Sequence, residues 1–251
     1  GVTKRSNSQA AKEHGLYYAP DPSSQIDCKI GGNIAENSGG VHCLKYGLTV
    51  HNVLSVKILT VEGEFLTLGS EGLDSQGLDL LALFTGSEGL LGVVVEILVK
   101  LLPTPEKAQV VMAGFDSIKA AGDAVGAVIL EGIIPAGLEM MDRHAIVAAE
   151  AFVNAGYPVE AKALLLCELD GTATEVDQYI SQVAKVFESL GATSIRISQT
   201  EQERALLWQG RKSAFPAVGR ISPDYYCMDG TIPRSQLPNF LTKMAQFAAS
   251  L

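Results

Sequence analysis

The sequence has little that points to a metal, a membrane or a nucleic acid. Its four cysteines, Cys28, Cys43, Cys167 and Cys227, form no C-x-x-C pair, which argues against a zinc knuckle or a thioredoxin-type redox site. They are also too sparse for a disulfide scaffold, and a reducing compartment is the simpler reading. No apolar run reaches ~18 residues, so no membrane span is predicted. The opening GVTKRSNSQAAKEHG lacks the apolar stretch of a signal peptide, and it lacks an initiator methionine, as expected of a processed chain or a fragment. No run of Lys and Arg is longer than two residues, and 19 basic residues against 28 acidic ones leave a net charge of −9. Nucleic-acid binding, which needs a basic face, is therefore not expected. The Rossmann G-x-G-x-x-G, the P-loop, the G-x-S-x-G elbow and H-E-x-x-H are all missing.

What is present describes a folded chain. Apolar residues make up 47% and charged residues 19%, too apolar for disorder and ample for a buried core. At ~150 residues per domain, one large or two small domains are expected. Glycine is in excess, 25 of 251 residues, or about 10% against a usual ~7%.

The pattern predicts a polar helix over 2–14 and a loop over 17–24, where Pro20 and Pro22 exclude a helix. A glycine-rich loop region follows over 25–47. Residues 53–60 and 64–68 flank Glu62-Gly63 as a β-hairpin. Residues 78–84 read as a short apolar helix or turn, and 91–102 as one long strand ended by Pro103 and Pro105. The segment 103–106 is the best linker. Beyond it, strands over 109–115, 138–142, 163–169, 193–197 and 225–232 alternate with helices over 117–130, 143–153, 174–190, 200–213 and 234–251. An open sheet covered by helices, in an α+β arrangement, is expected.

Three groups of residues could carry chemistry. In Ile30 to Gly40 (IGGNIAENSGG), paired glycines let backbone N–H groups approach an anion or a planar ligand, and two asparagines add donors and acceptors. A run of tight turns explains the same glycines equally well. Phe84 to Val93 (FTGSEGLLGV) is a second glycine segment, for which a turn with a bulge entering a strand is the bland alternative. The third is Trp208 to Lys212, with Arg220 and the stretch Asp224 to Asp229. An arginine in a cleft can hold a carboxylate bidentately and a tyrosine can orient a hydroxyl, although an ordinary solvated helix end is the commoner case. His42 and His51 have no third ligand at metal spacing and read as structural. His14 and His144 read as surface, and Cys167 as inert core.

Together and in order, these segments resemble one family. The matching residues are Tyr17 to Ser24 (YYAPDPSS); Cys28, Ile30, Gly31, Gly32, Asn33, Ala35, Asn37, Gly39 and Gly40; Lys45-Tyr46-Gly47; Asp79, Leu80, Leu83, Phe84, Gly86 to Gly89, Leu91 and Gly92; and Gly219 to Tyr226 (GRISPDYY). The chain resembles the flavoproteins with a PCMH-type, vanillyl-alcohol-oxidase-like FAD-binding domain. It looks most like their glycolate oxidase D-subunit branch, beside the D-lactate and D-2-hydroxyglutarate dehydrogenases.

The resemblance implies a division at 1–104, the second half of a PCMH-type FAD-binding domain, and 105–251, a FAD-linked oxidase C-terminal cap domain of antiparallel sheet with helices. FAD would lie between two α+β subdomains, with the cap holding the hydroxy acid. Ile30, Gly31, Gly32, Asn33, Asn37, Gly39 and Gly40 would line the flavin and pyrophosphate, and Glu88, Gly92 and Val93 would approach the cofactor through the main chain. Arg211 would bind the substrate carboxylate, with Tyr226 a weaker substrate contact. Cys227 stands where some relatives carry a substrate lysine.

The family's R-G-x-G-T-G phosphate loop and its late H-x-G-D-G-N-x-H motif are absent, and they are expected before Gly1 and beyond Leu251. The second of these would supply the catalytic base, so no catalytic residue is expected in this chain. The implied activity is FAD-dependent oxidation of a short 2-hydroxy acid, glycolate to glyoxylate first. D-lactate, D-2-hydroxyglutarate, or an inactive scaffold subunit are the alternatives. Companion subunits would carry electrons away, and the protein would be cytoplasmic or peripheral at the inner membrane through them. Weak or no FAD retention and no turnover are expected of the chain alone, because half the phosphate cradle and the late histidines are absent from it.

Overall fold

The computed structural model describes all residues except Ile26, Leu73, Ser75 and Leu251, together with the side chain of Ala249. Two units are distinguished, Gly1–Thr104 and Pro105–Leu251.

The first unit opens with helix α1 (Lys4–Lys12), capped by the Thr3 hydroxyl, which accepts from the Ser6 N–H at 3.1 Å. Strand β1 (Leu16–Tyr17) follows. Then come α2 (Ile30–Ala35), α3 (Cys43–Tyr46) and a 3-10 turn (Thr49–Asn52). Strands β2 (Val53–Leu59) and β3 (Phe65–Gly69) form the expected hairpin, with Gly63 at φ +83° in its turn. Helix α4 (Leu80–Phe84) leads to β4 (Val93–Val99) and β5 (Leu102–Pro103). The antiparallel order is β3-β2-β4, and β5 pairs with β1 separately.

Alternation along β2 turns Val56 and Ile58 inward. There they meet Ile30 and Ile34 of α2 and Leu81 and Phe84 of α4. Two expectations are corrected here. Residues 30–35 are a helix rather than a loop, and 91–102 is two strands rather than one. The first correction has a simple cause. Ile30 and Ile34, one helical turn apart, bury against the sheet, and that burial outweighs the propensity loss of about 1 kcal/mol for each of the two glycines between them.

The second unit comprises β6 (Lys107–Phe115), α5 (Ile118–Leu130), β7 (Gly137–Asp142), α6 (Arg143–Val153), β8 (Ala163–Gly171), α7 (Ala173–Ser189), β9 (Ala192–Ile197), α8 (Glu201–Lys212), α9 (Ala214–Ile221), a 3-10 turn (Arg234–Gln236) and α10 (Leu237–Ala249). Its sheet is antiparallel throughout, in the order β7-β8-β6-β9.

One face of that sheet carries Val111, Ala113, Phe115, Ala163, Leu165 and Cys167, covered by α5 and α7. The opposite face, with Leu164, Leu166 and Glu168, meets α6 and α8. The helices start where capping residues dictate. Ser117, Asp142, Thr172 and Thr200 each accept a first-turn N–H, and Thr172 with Glu175 forms a reciprocal capping box.

Three further expectations need correction. Residues 225–232 form no strand; the whole segment 222–233 is free of helix and strand, and 222–230 are exposed, so no sheet edge takes up their backbone groups. Helix α9 was not expected. Its Pro216 sits in the first turn, where a helix needs no N–H donor. The last helix begins at Leu237 rather than Arg234, and Leu251, its expected end, lies outside the described residues.

Candidate functional site

In the first unit, the structure brings the two glycine segments together. The N–H groups of Gly86 and Glu88 donate to the carbonyls of Ile34 and Ala35 at 2.8 and 2.9 Å, closing the C-terminal end of α2. That clamp needs unusual backbone. Glu88 adopts φ +54° and Asn37 φ +48°, and Gly86, at φ +92°, passes so near Asn37 that a Cβ would lie 3.2 Å from its Cβ. Asn37 Oδ1 accepts from the Val50 N–H at 3.0 Å, so this side chain shapes the loop.

Gly40 is fixed by close approach, since a Cβ there would lie 2.5 Å from the Asp21 main chain. The buried Asp21 carboxylate accepts from the His42 N–H at 3.2 Å and lies 2.8 Å from His42 Nδ1, tying the YAPDPSS stretch to the loop. Neighbouring Tyr18 is fully buried, and burial pushes its phenol up to about 12.

Among the expected cofactor residues, Ile30 is core, and Gly39 would place a Cβ 3.0 Å from Leu48. Gly92, at φ +147°, turns the chain into β4 at Leu59, and Val93 is exposed. Gly31 and Gly32 differ from these, because a Cβ on either meets nothing within 4 Å. Beside them Asn33 is 3% exposed, yet among the described residues its amide Nδ2 has no hydrogen-bond partner, nor does the buried Ser87 hydroxyl. Open space over two glycines with an orphaned amide beside them, and an orphaned hydroxyl on the segment that Gly86 and Glu88 bond to the end of α2, fits a planar ligand rich in acceptors, as FAD is. Two clefts of about 380 and 520 Å³ on this unit have other linings, His51 and Asp79 in one, Lys57 and Glu96 in the other. Ser87 stands in the second glycine segment and among the residues that carry the resemblance, but it is not singled out there as a cofactor contact.

In the second unit, Arg211 stands near the end of α8. Its Nη2 and Nε donate to the single oxygen Oε2 of Glu139 on β7, at 2.8 and 3.1 Å. Both side chains are half-buried. Helix α8 is held to the sheet by Glu168, a carboxylate 2% exposed on β8. Glu168 accepts from Arg204 Nη1 at 2.8 Å and from the Trp208 indole N–H. Arg204 also forks onto Glu201 at 2.6 and 2.7 Å. The Glu201 bonds above all, with Glu168 behind them, raise the Arg204 pKa against the opposing effect of burial.

Residues 204, 208 and 211 follow the i, i+4, i+7 spacing of one helix face. Tyr157 adds another tie. Its hydroxyl donates to the Leu207 carbonyl, and its ring lies so close to Gly210 that a Cβ there would sit 2.6 Å from Cζ. Burial raises the Tyr157 pKa, so the phenol stays neutral.

Glu139 and Glu168 escaped the sequence reading. The available signal was a carboxylate on an apolar strand at a position that alternation turns inward. Tyr226, by contrast, is 89% exposed and shares no hydrogen bond with Arg211. His144 is at the surface, and burial drives the Cys167 thiol pKa upward. Among the described residues, no three His, Cys, Asp or Glu side chains are placed to hold a metal ion, and no helix is long and apolar enough to cross a membrane.

A half-buried arginine on a helix, bonded to a carboxylate of the sheet, can bind an acid, and the open glycine pair of the other unit can admit a planar ligand. Residues 104–251 match the FAD linked oxidases, C-terminal domain, and residues 1–69 match the FAD binding domain. The chain belongs to the FAD-linked oxidases, flavoproteins whose cofactor is FAD. It is 62% identical over 99% of its length to the glycolate oxidase subunit GlcD of Escherichia coli, covering 50% of that protein. The Bacillus subtilis subunit of the same name is 38% identical, with 99% and 53% covered. A D-lactate dehydrogenase of Anaerostipes hadrus is 28% identical, with 96% and 52% covered. The chain thus spans about half the length of the curated relatives it matches. Among solved structures, an alkyldihydroxyacetonephosphate synthase shares the fold at TM-score 0.78 and 17% identity, with 99% of this chain and 51% of that one covered. The 4-ethylphenol oxidase of Gulosibacter chungangensis does so at TM-score 0.67 and 14% identity, covering 89% and 50%.

Proposed function

We propose that this chain is part of a flavoenzyme that oxidises a short 2-hydroxy acid, glycolate to glyoxylate first. The observation that carries the reading is the Arg211 guanidinium, half-buried on a pinned helix and bonded along only one edge, in a chain 62% identical to a glycolate oxidase subunit. Residues 1–104 act as the second half of a PCMH-type FAD-binding domain and 105–251 as the cap. FAD, when bound, supplies a two-electron acceptor for the hydrogen on the substrate's C2. Main-chain groups around Gly31, Gly32, Gly39 and Gly40 would hold it, with the backbone at Glu88, Gly92 and Val93 approaching it although the Glu88 and Gly92 N–H groups are already bonded, and the Asn33 amide would donate to it. Asn37 acts by fixing the loop through Val50.

Arg211 holds the substrate carboxylate and so sets which carbon faces the reaction. Tyr226 serves as a second substrate contact. The late histidine motif of the family, absent from this sequence, is the expected proton acceptor. The E. coli relative is named as a subunit, and by extension companion subunits take the electrons onward, with the protein cytoplasmic or held peripherally at the inner membrane by those partners.

D-lactate is the second substrate to test, because a D-lactate dehydrogenase is 28% identical over 96% of the chain. An anaerobic absorbance titration with FAD, followed by glycolate, D-lactate or D-2-hydroxyglutarate, tests the reading. With the Asn33 amide and the open glycine pair in place, weak but saturable FAD binding to the wild-type chain, weakened at least about tenfold further by Asn33→Leu, is expected. No FAD binding by wild type, or an Asn33→Leu chain that binds as wild type, would count against the cradle.

A further inference from the structure

Arg211 is engaged along one edge only. Its Nε and Nη2 both reach Glu139 Oε2, and among the described residues Nη1 has no hydrogen-bond partner. A guanidinium carries five N–H groups in one plane. Two lie against Glu139, and three remain. Those on Nη1 and the outer Nη2 proton form the end-on fork that fits a carboxylate bidentately.

The two partners rise from fixed supports. Glu139 lies on β7 opposite Leu166 of β8, on the sheet face that also bears Glu168. Arg211 lies on α8, which Glu168 and Tyr157 tie down through Arg204, Trp208 and Leu207. An arginine is long enough to sample many rotamers. A side-on carboxylate on a strand removes that freedom and leaves the productive edge open.

We propose that Glu139 is a positioning residue for Arg211, turning the Nη1/Nη2 fork toward a small carboxylate; this rests on the reading of Arg211 as the carboxylate holder. Glu139 never touches the substrate. It lowers the ordering that binding requires, so its loss weakens binding of the carboxylate while leaving the fold in place.

The test uses the 251-residue chain, saturated with FAD, and ¹⁵N-edited NMR of arginine side chains, with the Arg211 signals assigned from Arg211→Lys. In the wild type the Arg211 Nε–H is protected from exchange, and added glycolate shifts the Nη signals. In Glu139→Gln the Nε–H exchanges at least about tenfold faster, and the apparent Kd for glycolate rises roughly fivefold or more, at an unchanged melting temperature. Glu139→Ala gives a larger rise in the same direction, and Thr172→Ala, on another helix, leaves glycolate binding unchanged. A Glu139→Gln chain with wild-type Nε–H exchange and wild-type glycolate affinity overturns the positioning role. An Arg211→Lys chain that binds glycolate as wild type, or a wild-type chain whose Arg211 signals ignore glycolate, overturns the Arg211 reading beneath it.

Discussion

The two units prepare their functional groups by opposite means. In Gly1–Thr104 the main chain is the instrument. Positive φ at Asn37, Gly86 and Glu88 bends the two glycine segments onto each other, and side chains such as Asn37 and Asp21 hold that bend in place. In Pro105–Leu251 the site stands on regular helix and strand, and a side chain is the instrument, aimed by carboxylates on the sheet beneath it. A backbone site tolerates changes in side-chain type but not added bulk. A side-chain site tolerates bulk but not a lost charge. The contrast makes each unit sensitive to a different kind of mutation.

The largest effect is expected where a buried carboxylate is taken from the two groups it receives. Glu168→Leu removes the carboxylate that receives both Arg204 and Trp208, leaving an indole N–H buried and unsatisfied. Breaking such a pair from one side destabilises by about 3 kcal/mol. Urea denaturation followed by Trp208, the single tryptophan, should register the loss. A change below about 1 kcal/mol would mean that Glu201 alone holds Arg204, and that α8 is not pinned through Glu168.

Glycine positions in the first unit sharpen the same contrast. Gly40→Ala drives a Cβ to 2.5 Å from the Asp21 backbone, and a loss of about 2 kcal/mol in stability is expected. Gly31→Ala meets open space inside a helix, so stability should rise, by up to ~1 kcal/mol. If that open space belongs to a ligand, the same substitution should weaken FAD binding. Gly31→Ala with higher stability and unaltered FAD affinity would remove Gly31 from the cradle.

Much of the architecture was readable in the sequence because its causes are local. The hairpin at 53–68 announced itself through β-branched runs on both sides of Glu62-Gly63, and the helix over 117–130 through Ala and Val at helical spacing; the caps at Ser117, Asp142, Thr172 and Thr200 are equally local causes. What escaped depends on distant partners. Two glycines made Ile30–Ala35 look like a loop, and only burial of Ile30 and Ile34 against β2 makes it helical. Tyr225 to Ile232 had the composition of a strand, but lies where no sheet edge receives it. Arg211 was identifiable as a candidate, whereas Glu139 was not. Its importance comes from the register of β7 on β8 and from the face that α8 presents, neither of which is written near residue 139.

The smallest expected effect concerns the cysteines, and it separates burial from chemistry. Cys167 is fully buried on β8 and its thiol pKa is raised by desolvation, with nearby Glu168 acting in the same direction. Cys227 is exposed in the segment without regular structure. The thiolate is the reactive form, so a raised pKa and burial both silence Cys167. Brief treatment of the native chain with a maleimide, read by peptide mass spectrometry, should label Cys227 and spare Cys167, and stability should be unchanged. In urea Cys167 should label as well, with the same midpoint as the Trp208 signal. Labelling of Cys167 in the native state would mean that β8 opens locally. The carboxylate next to it, Glu168, would then be no fixed support for α8, and the rigid aim of Arg211 would lose its physical basis.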